Sequence, residues 1–294
     1  MASIAISGAR LLVNDREVQR NGPFKRTYLA EGDSWMDMSA WDQGSLPEYL
    51  ARDFNRDGLN NLIVKIATAG HTLTRIVDMM NTDLVWWLQQ IAFDGILFSA
   101  GGNDFIDAAV DPAPGQGLLV DCRSIAAPGT ALGCIRPEAL TALIRYLDTN
   151  FATIYKAIRT SSRNADTPIY LNRYDTPTAR DAPAIRDLSG PWLFTAYQKN
   201  GIPTALWSDL TELLFTKISD TISSWAAGRE GVVLVATTDL LTKASPESTG
   251  DSGDWINEIH PNPTGWRKQA KAWRAVLHPR PLTSDVGSDS QGAV

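Results

Sequence analysis

"AEGDSW" occupies residues 30–35 and closes the apolar stretch "RTYLAEG" (26–32). The stretch reads as a buried strand that ends in a glycine, a carboxylate and a hydroxyl. Gly32, Asp33 and Ser34 all suit a turn, because each tolerates or stabilises turn geometry. A nucleophilic serine presented at a strand end has the same composition, and this segment alone leaves both readings open.

Outward from it, apolar runs alternate with helical patterns. "NLIVKIATAG" (61–70), "DGILFSAGG" (94–102), "TPIYLNRYDT" (167–176) and "GVVLVATTDLL" (231–241) read as four further strands. Between the second and third, residues 72–91 have a helical period, with Leu73, Ile76, Val77 and Met80 on one face. A long helix over 137–161 opens with Pro137, helical patterns cover 192–227, and a last helix runs over 263–277. Five strands separated by helices predict an α/β fold: a central, mostly parallel five-stranded sheet covered on both faces. Residues 1–280 are expected to form one domain, with a peripheral arm over 1–24 and irregular inserts at 105–136 and 177–206. The small, polar stretch 281–294 is expected to be a disordered tail.

Composition narrows the function classes. The chain has 294 residues, of which 44% are hydrophobic, enough for a large core. Its net charge of −6 comes without a basic run, which argues against nucleic acid or anionic membranes as partners. Nothing approaches the about 18 consecutive apolar residues of a membrane span. The first residues, "MASIAISGARLLVNDREVQR", lack a charged n-region followed by a sustained apolar core, so a cytoplasmic location is expected. Cys122 and Cys134 have a spacing that suits either a small disulfide loop or two free thiols. The three histidines, His71, His260 and His278, are too few for a histidine-rich metal site, and neither a metal nor a cofactor is called for. Composition leaves the oligomeric state open.

Chemistry converges at the strand ends. The first strand gives "EGDSW", the second "TAGHT" and the third "AGGND". In a parallel sheet the carboxyl ends share one edge, where open α/β folds bind ligands. Ser34 supplies a hydroxyl nucleophile, Gly70 a backbone N–H with no side chain beside it, and Asn103 an amide donor. A serine attacking an acyl carbon needs donors of this kind for the developing oxyanion, and a base to activate it. His260, in "GDWINEIHPNPTGW" (253–266), lies between the fifth strand and the last helix and is the candidate base. His71 adjoins Gly70 and reads either as a site-lining residue or as a surface turn residue. His278, at a helix end, reads as a cation near the helix dipole. Asp33 and Asp104 are expected to hold their turns through backbone N–H groups. Trp35 is expected in the core, and Asp37 and Asp42 in a solvated loop.

"GDSW" with Ser34, a glycine after the second strand, "GGND" after the third and His260 in "IHP" resemble the four blocks of the SGNH (GDSL-type) hydrolases. The resemblance spans residues 27–277. It implies a flavodoxin-like three-layer α/β/α sandwich and ester hydrolysis through an acyl-enzyme. Ser34 would be the nucleophile and His260 the base; the Ser34 and Gly70 N–H groups and the Asn103 side chain would form the oxyanion hole. The family usually has an aspartate three residues before the histidine, where this chain has Asn257. Asp254 is therefore the first candidate to orient His260, reached by a bend in the loop. Asn257 is the second, since a neutral amide can orient an imidazole, and Glu258 the third.

Two other readings share some of these features. A metallophosphoesterase would need more metal-ligand histidines than the chain contains. A catalytically impaired carbohydrate- or partner-binding module is kept open by Asn257. The expected substrate is a small-molecule or saccharide ester. The two inserts emerge at the site and contain Phe105, Leu118, Leu119, Trp192, Phe194 and Tyr197, candidates for an acyl pocket. Without a long apolar lid segment, short-chain or acetyl esters, including those on sugars, fit better than long lipids.

Overall fold

The structure is a computed structural model and describes residues 1–279, apart from 14, 39–43, 81, 111–112, 124–127 and 187. The chain runs β1 (Ile4–Ser7), α1 (Gly8–Leu12), α2 (Arg16–Asn21), β2 (Arg26–Gly32), α3 (Leu46–Arg56), β3 (Asn61–Lys65), α4 (Leu73–Met79), α5 (Leu84–Gln90) and β4 (Gly95–Ser99). It continues with α6 (Gly102–Val110), α7 (Pro137–Arg159), β5 (Ile169–Leu171), α8 (Leu193–Lys199), α9 (Trp207–Ala226), β6 (Val232–Leu234) and α10 (Pro263–Leu277). Asp42 and the 281–294 tail lie outside the described residues.

The six strands form one sheet in the order β1-β3-β2-β4-β5-β6, and every pairing is parallel. The five expected strands are all present, although β3 to β6 are shorter than their apolar runs. The sixth corrects the expected arm: Ile4–Ser7 pairs with Leu62–Lys65 along the sheet edge. Four residues are too short to show a period, and this strand exists because β3 offers it a ladder of hydrogen bonds.

Register shows the layering. Residues paired across strands share a face, and successive residues alternate. Tyr28 pairs with Gly95 and stacks on Phe54 of α3, with ring centroids 6.0 Å apart. Glu31 pairs with Phe98, whose ring meets Phe151 of α7 at 6.1 Å on the opposite face. Helices α3 and α10 pack together on the first face; α4, α5, α7 and α9 form the second layer. All five residues of β3 and of β4 are buried, as a doubly covered sheet requires. The expected helix over 72–91 is two short helices, and the start of the expected 105–136 insert is part of α6. Among the described residues, no helix is long and apolar enough to cross a membrane.

Strand β2 is central: the chain moves to β3 on one side, then crosses to β4 on the other. That reversal places the loops after β2, β3 and β4 around a topological switch point.

Two expectations away from the strand ends are corrected, and the open reading of the cysteines is decided. Asp37 is not in a solvated loop; it accepts from the buried Lys65 at 3.2 Å, and Lys65 also pairs with Glu48 of α3. His278 is not a helix-end cation. Its Nε2 lies 3.0 Å from the Tyr28 hydroxyl and 3.1 Å from Asn61 Nδ2, and burial pushes its pKa down to about 4. Cys122 and Cys134 are free, buried thiols, and burial pushes Cys134 up to about 12.

Candidate active site

The turn after β2 requires its glycine. Gly32 has φ +137°, and a Cβ there would meet the Ser99 carbonyl oxygen at 2.0 Å. Asp33 then locks the turn. Its backbone N–H donates to the Ser99 carbonyl at 2.9 Å. Its carboxylate accepts from Trp35 N–H at 3.0 Å, from Ser99 Oγ at 3.2 Å and from the Tyr174 hydroxyl. Burial pushes the Asp33 carboxyl up to about 7, against those three donors. Trp35 is in the core, its ring 5.1 Å from that of Tyr174 and 5.4 Å from that of Trp266. The result is a rigid platform for Ser34.

His260 arrives from the loop between β6 and α10. Bridges Ser252–Trp255 and Trp255–Pro261 fold this loop on itself, and Ile256 N–H donates to the His260 carbonyl at 3.0 Å. Asn262 then caps α10, accepting from Thr264 and Gly265 N–H at 2.9 and 3.0 Å. His260 Nε2 lies 2.8 Å from Ser34 Oγ, and His260 Nδ1 lies 3.0 Å from Asn257 Oδ1. The same Asn257 oxygen accepts from Ile259 N–H at 3.1 Å and His260 N–H at 2.9 Å.

Those contacts assign the tautomer. Backbone N–H groups only donate, so the Asn257 atom facing them is the amide oxygen, which only accepts. Nδ1 must therefore carry the proton, which leaves the Nε2 lone pair to accept from the Ser34 hydroxyl. Burial pushes the His260 pKa down to about 3, so the ring is neutral at ordinary pH.

Asp254, the first candidate to orient His260, is placed elsewhere. Its Oδ2 accepts from Thr242 N–H at 2.6 Å and pairs with Lys268 Nζ of α10 at 2.5 Å. Burial opposes its ionisation, but Lys268 and Thr242 outweigh that and hold the carboxyl below its ordinary range. It anchors the loop rather than the imidazole. Glu258, the third candidate, has its carboxylate on the backbone N–H groups of Arg180, Trp192, Leu193 and Phe194.

The two remaining strand ends meet through one hydrogen bond. Asn103, at the start of α6, donates an Nδ2 proton to the His71 carbonyl at 3.0 Å and retains a second amide proton. Gly70 has φ +80°, and a Cβ there would meet nothing within 4 Å, so the space beside its backbone is open. Thr68 N–H donates to the Gly32 carbonyl at 3.1 Å, joining this loop to the Ser34 turn. Asp104 holds the start of α6 to α4, accepting from Leu73 N–H at 3.1 Å and the Tyr146 hydroxyl at 2.7 Å.

Of the residues expected to line an acyl pocket, Phe105, Leu118, Leu119 and Tyr197 are core residues, each at most 2% exposed. Trp192 is half-buried, and its ring meets the His260 ring edge-on at 5.7 Å. Tyr174 and Arg180 carry no signal in the sequence. Each sits in loop sequence after β5 with no motif around it, and only tertiary contacts reveal its work. Among the described residues, no group of three or more His, Cys, Asp or Glu side chains could hold a metal ion.

The sequence matches no protein-family model and no curated protein. Its fold is shared. The structure of the lipase Lip_vut3 from a goat rumen metagenome superposes with a TM-score of 0.54 at 13% identity, covering 85% of this chain and 97% of that one. BT4096, a gut microbial diltiazem-metabolizing enzyme, gives 0.51 at 12% identity over 86% of this chain and 47% of its own. Axe2, an acetylxylan esterase from Geobacillus stearothermophilus, gives 0.47 at 11% identity over 87% and 96%. At these identities the likeness is one of architecture.

Proposed function

We propose that this chain is a serine hydrolase of carboxylic esters, with Ser34 as nucleophile, His260 as base and Asn257 as the residue that orients the base. The observation that carries this reading is the relay itself: Ser34 Oγ is 2.8 Å from Nε2 of an imidazole whose Nδ1–H is committed to Asn257. Such a relay is the means by which a weak hydroxyl becomes a nucleophile.

In the first step Ser34 Oγ bonds to the acyl carbon while its proton passes to His260 Nε2. The carbonyl oxygen becomes an oxyanion, held by the backbone N–H groups of Ser34 and Gly70 and the Asn103 amide. The C–O bond to the alcohol then breaks, and the alcohol leaves with the proton from His260. A water molecule repeats the sequence on the acyl-enzyme: His260 takes its proton, the acid is released and Ser34 regains its hydrogen.

Short-chain or acetyl esters, including those carried on saccharides, are the substrates this reading favours. Ser34 is 3% exposed and His260 1%, so access to the reacting atoms is narrow. The architecture shared with the lipase Lip_vut3 is consistent with ester chemistry at this sheet edge.

The test is a fluorophosphonate probe together with p-nitrophenyl esters of increasing chain length. Wild type should label at Ser34 and turn over the short esters best, and Ser34→Ala should do neither. Absence of both labelling and turnover in folded wild type would favour a binding module that has kept the relay but lost its chemistry.

A further inference from the structure

Glu258 lies two residues before the base and belongs to none of the roles above. It is fully buried. Its Oε1 accepts from Arg180 N–H at 3.2 Å and Phe194 N–H at 2.7 Å; its Oε2 accepts from Trp192 N–H at 2.5 Å and Leu193 N–H at 2.9 Å. Its own N–H donates to the Ala182 carbonyl at 2.8 Å. One side chain thus joins three segments: the 180–182 stretch after β5, the start of α8 and the loop that bears Asn257 and His260.

The joint is reinforced from the other side. The Arg180 guanidinium, 1% exposed with its residue, donates to the Asn257 carbonyl at 2.8 Å through Nη2, and to Ser248 and Gly250 carbonyls through Nη1. Arg180 and Glu258 therefore grip the backbone of the same loop, one by its carbonyls and one by its neighbours' N–H groups. The start of α8 is also where Trp192 stands, its ring edge-on to the imidazole.

We propose that Glu258 is a positioning residue: by binding the N–H groups at the start of α8, it seats Trp192 against His260 and fixes the distance from the base to Ser34. This rests on the reading of Ser34 and His260 as the reacting pair. All four groups that face the Glu258 oxygens are N–H donors, an arrangement that suits a carboxylate and not a carboxylic acid. Burial nonetheless pushes its pKa up to about 7. The titratable and charged neighbours that feel Glu258 are Arg180 and Tyr197. The consequence for the base is solvation. Burial is what holds His260 neutral, and Trp192 is part of the wall that keeps water from it. Loosening that wall hydrates the imidazole and makes it easier to protonate.

Glu258→Gln keeps the volume and puts an NH₂ among N–H donors. It is expected to lower kcat/KM about 10- to 100-fold with KM within about threefold, since small misplacements of reacting groups cost that much. In NMR titration of the resting protein, the His260 pKa should rise by about one unit or more. Trp192→Ala, with the carboxylate intact, should give the same rise. A folded Glu258→Gln with unchanged His260 titration and unchanged kcat/KM overturns the proposal. If Glu258→Gln does not fold, Trp192→Ala decides: an unchanged titration overturns it, and a rise supports it. The titration needs no turnover, so wild type without ester hydrolysis would refute the proposed function while this test still reads the seating of Trp192.

Discussion

His260 Nδ1 donates to Asn257 Oδ1 over 3.0 Å, so the imidazole that faces Ser34 is oriented by a neutral amide instead of a carboxylate. The amide does half of what an aspartate would. It selects the tautomer and fixes the ring, but it offers no charge to the imidazolium that the proposed loss of the Ser34 proton would create.

Asn257→Asp should therefore raise kcat/KM, by about tenfold at neutral pH, as a carboxylate stabilises the imidazolium. It should also raise the His260 pKa above its present value of about 3. The acid limb of the kcat/KM profile moves to higher pH accordingly, because the base is lost when Nε2 is protonated. Asn257→Ala should cost roughly 10²-fold or more, since it removes the tautomer lock and the turn together. Profiles of the three proteins on p-nitrophenyl acetate read both effects, and a slower Asn257→Asp would refute the argument from missing charge.

Asp254→Asn should leave kcat/KM within about threefold, because the carboxylate acts on Thr242 and Lys268. Its effect belongs to stability. The folded pKa is depressed, so the stabilisation is present above the unfolded value of about 4 and is lost as pH falls through the folded pKa. The melting temperature of the variant should fall below that of wild type at pH 7, and the gap should close towards pH 3. A gap that widened in acid would contradict the pairing.

Asn103→Ala should lower kcat by roughly 10²-fold, the cost of losing one oxyanion donor. The His71 carbonyl loses its partner as well, a modest loss in a half-exposed loop. Circular dichroism should report an unchanged fold, and unaltered kcat would remove Asn103 from the site.

Glu31 gives a stability test with the opposite sign. It is buried, accepts from Gly32 N–H at 2.8 Å, and burial raises its pKa to about 8. The folded state therefore holds a proton that the unfolded chain releases near pH 4.5, so stability is fully present below that pH and falls as pH rises through about 8. Glu31→Gln keeps the acceptor and removes the ionisation. Its melting temperature should match wild type at pH 5 and exceed it at pH 9, which thermal scans at the two pH values measure.

Much of this was legible in one dimension. Gly32, Asp33 and Ser34 at the end of an apolar run, with Gly70 and Asn103 at the ends of two more, point to one sheet edge because parallel strands share their carboxyl ends. His260 was legible for a related reason: it stands between the last strand and the last helix. β1 was not, because four residues at a sheet edge carry too little pattern to separate strand from arm. The strand runs overshot because buried apolar residues such as Ala67, Ala100 and Val235 continue past the ladder into the loops that follow.

The order of apolar and polar residues determined the α/β class, the sheet edge at which Ser34, Gly70 and Asn103 gather and the residue types available there. Only the tertiary structure decided which partner each of those residues meets. Asp254, Asn257 and Glu258 lie within six residues of His260 and all carry acceptors. The bend held by the Trp255–Pro261 bridge and the Ile256–His260 hydrogen bond turns Asn257 back onto the ring. Lys268 and the N–H groups at the start of α8 draw the two carboxylates elsewhere. Charge alone would favour the carboxylates, but a hydrogen bond requires its atoms within about 3 Å and aligned, and the backbone path meets that condition for Asn257.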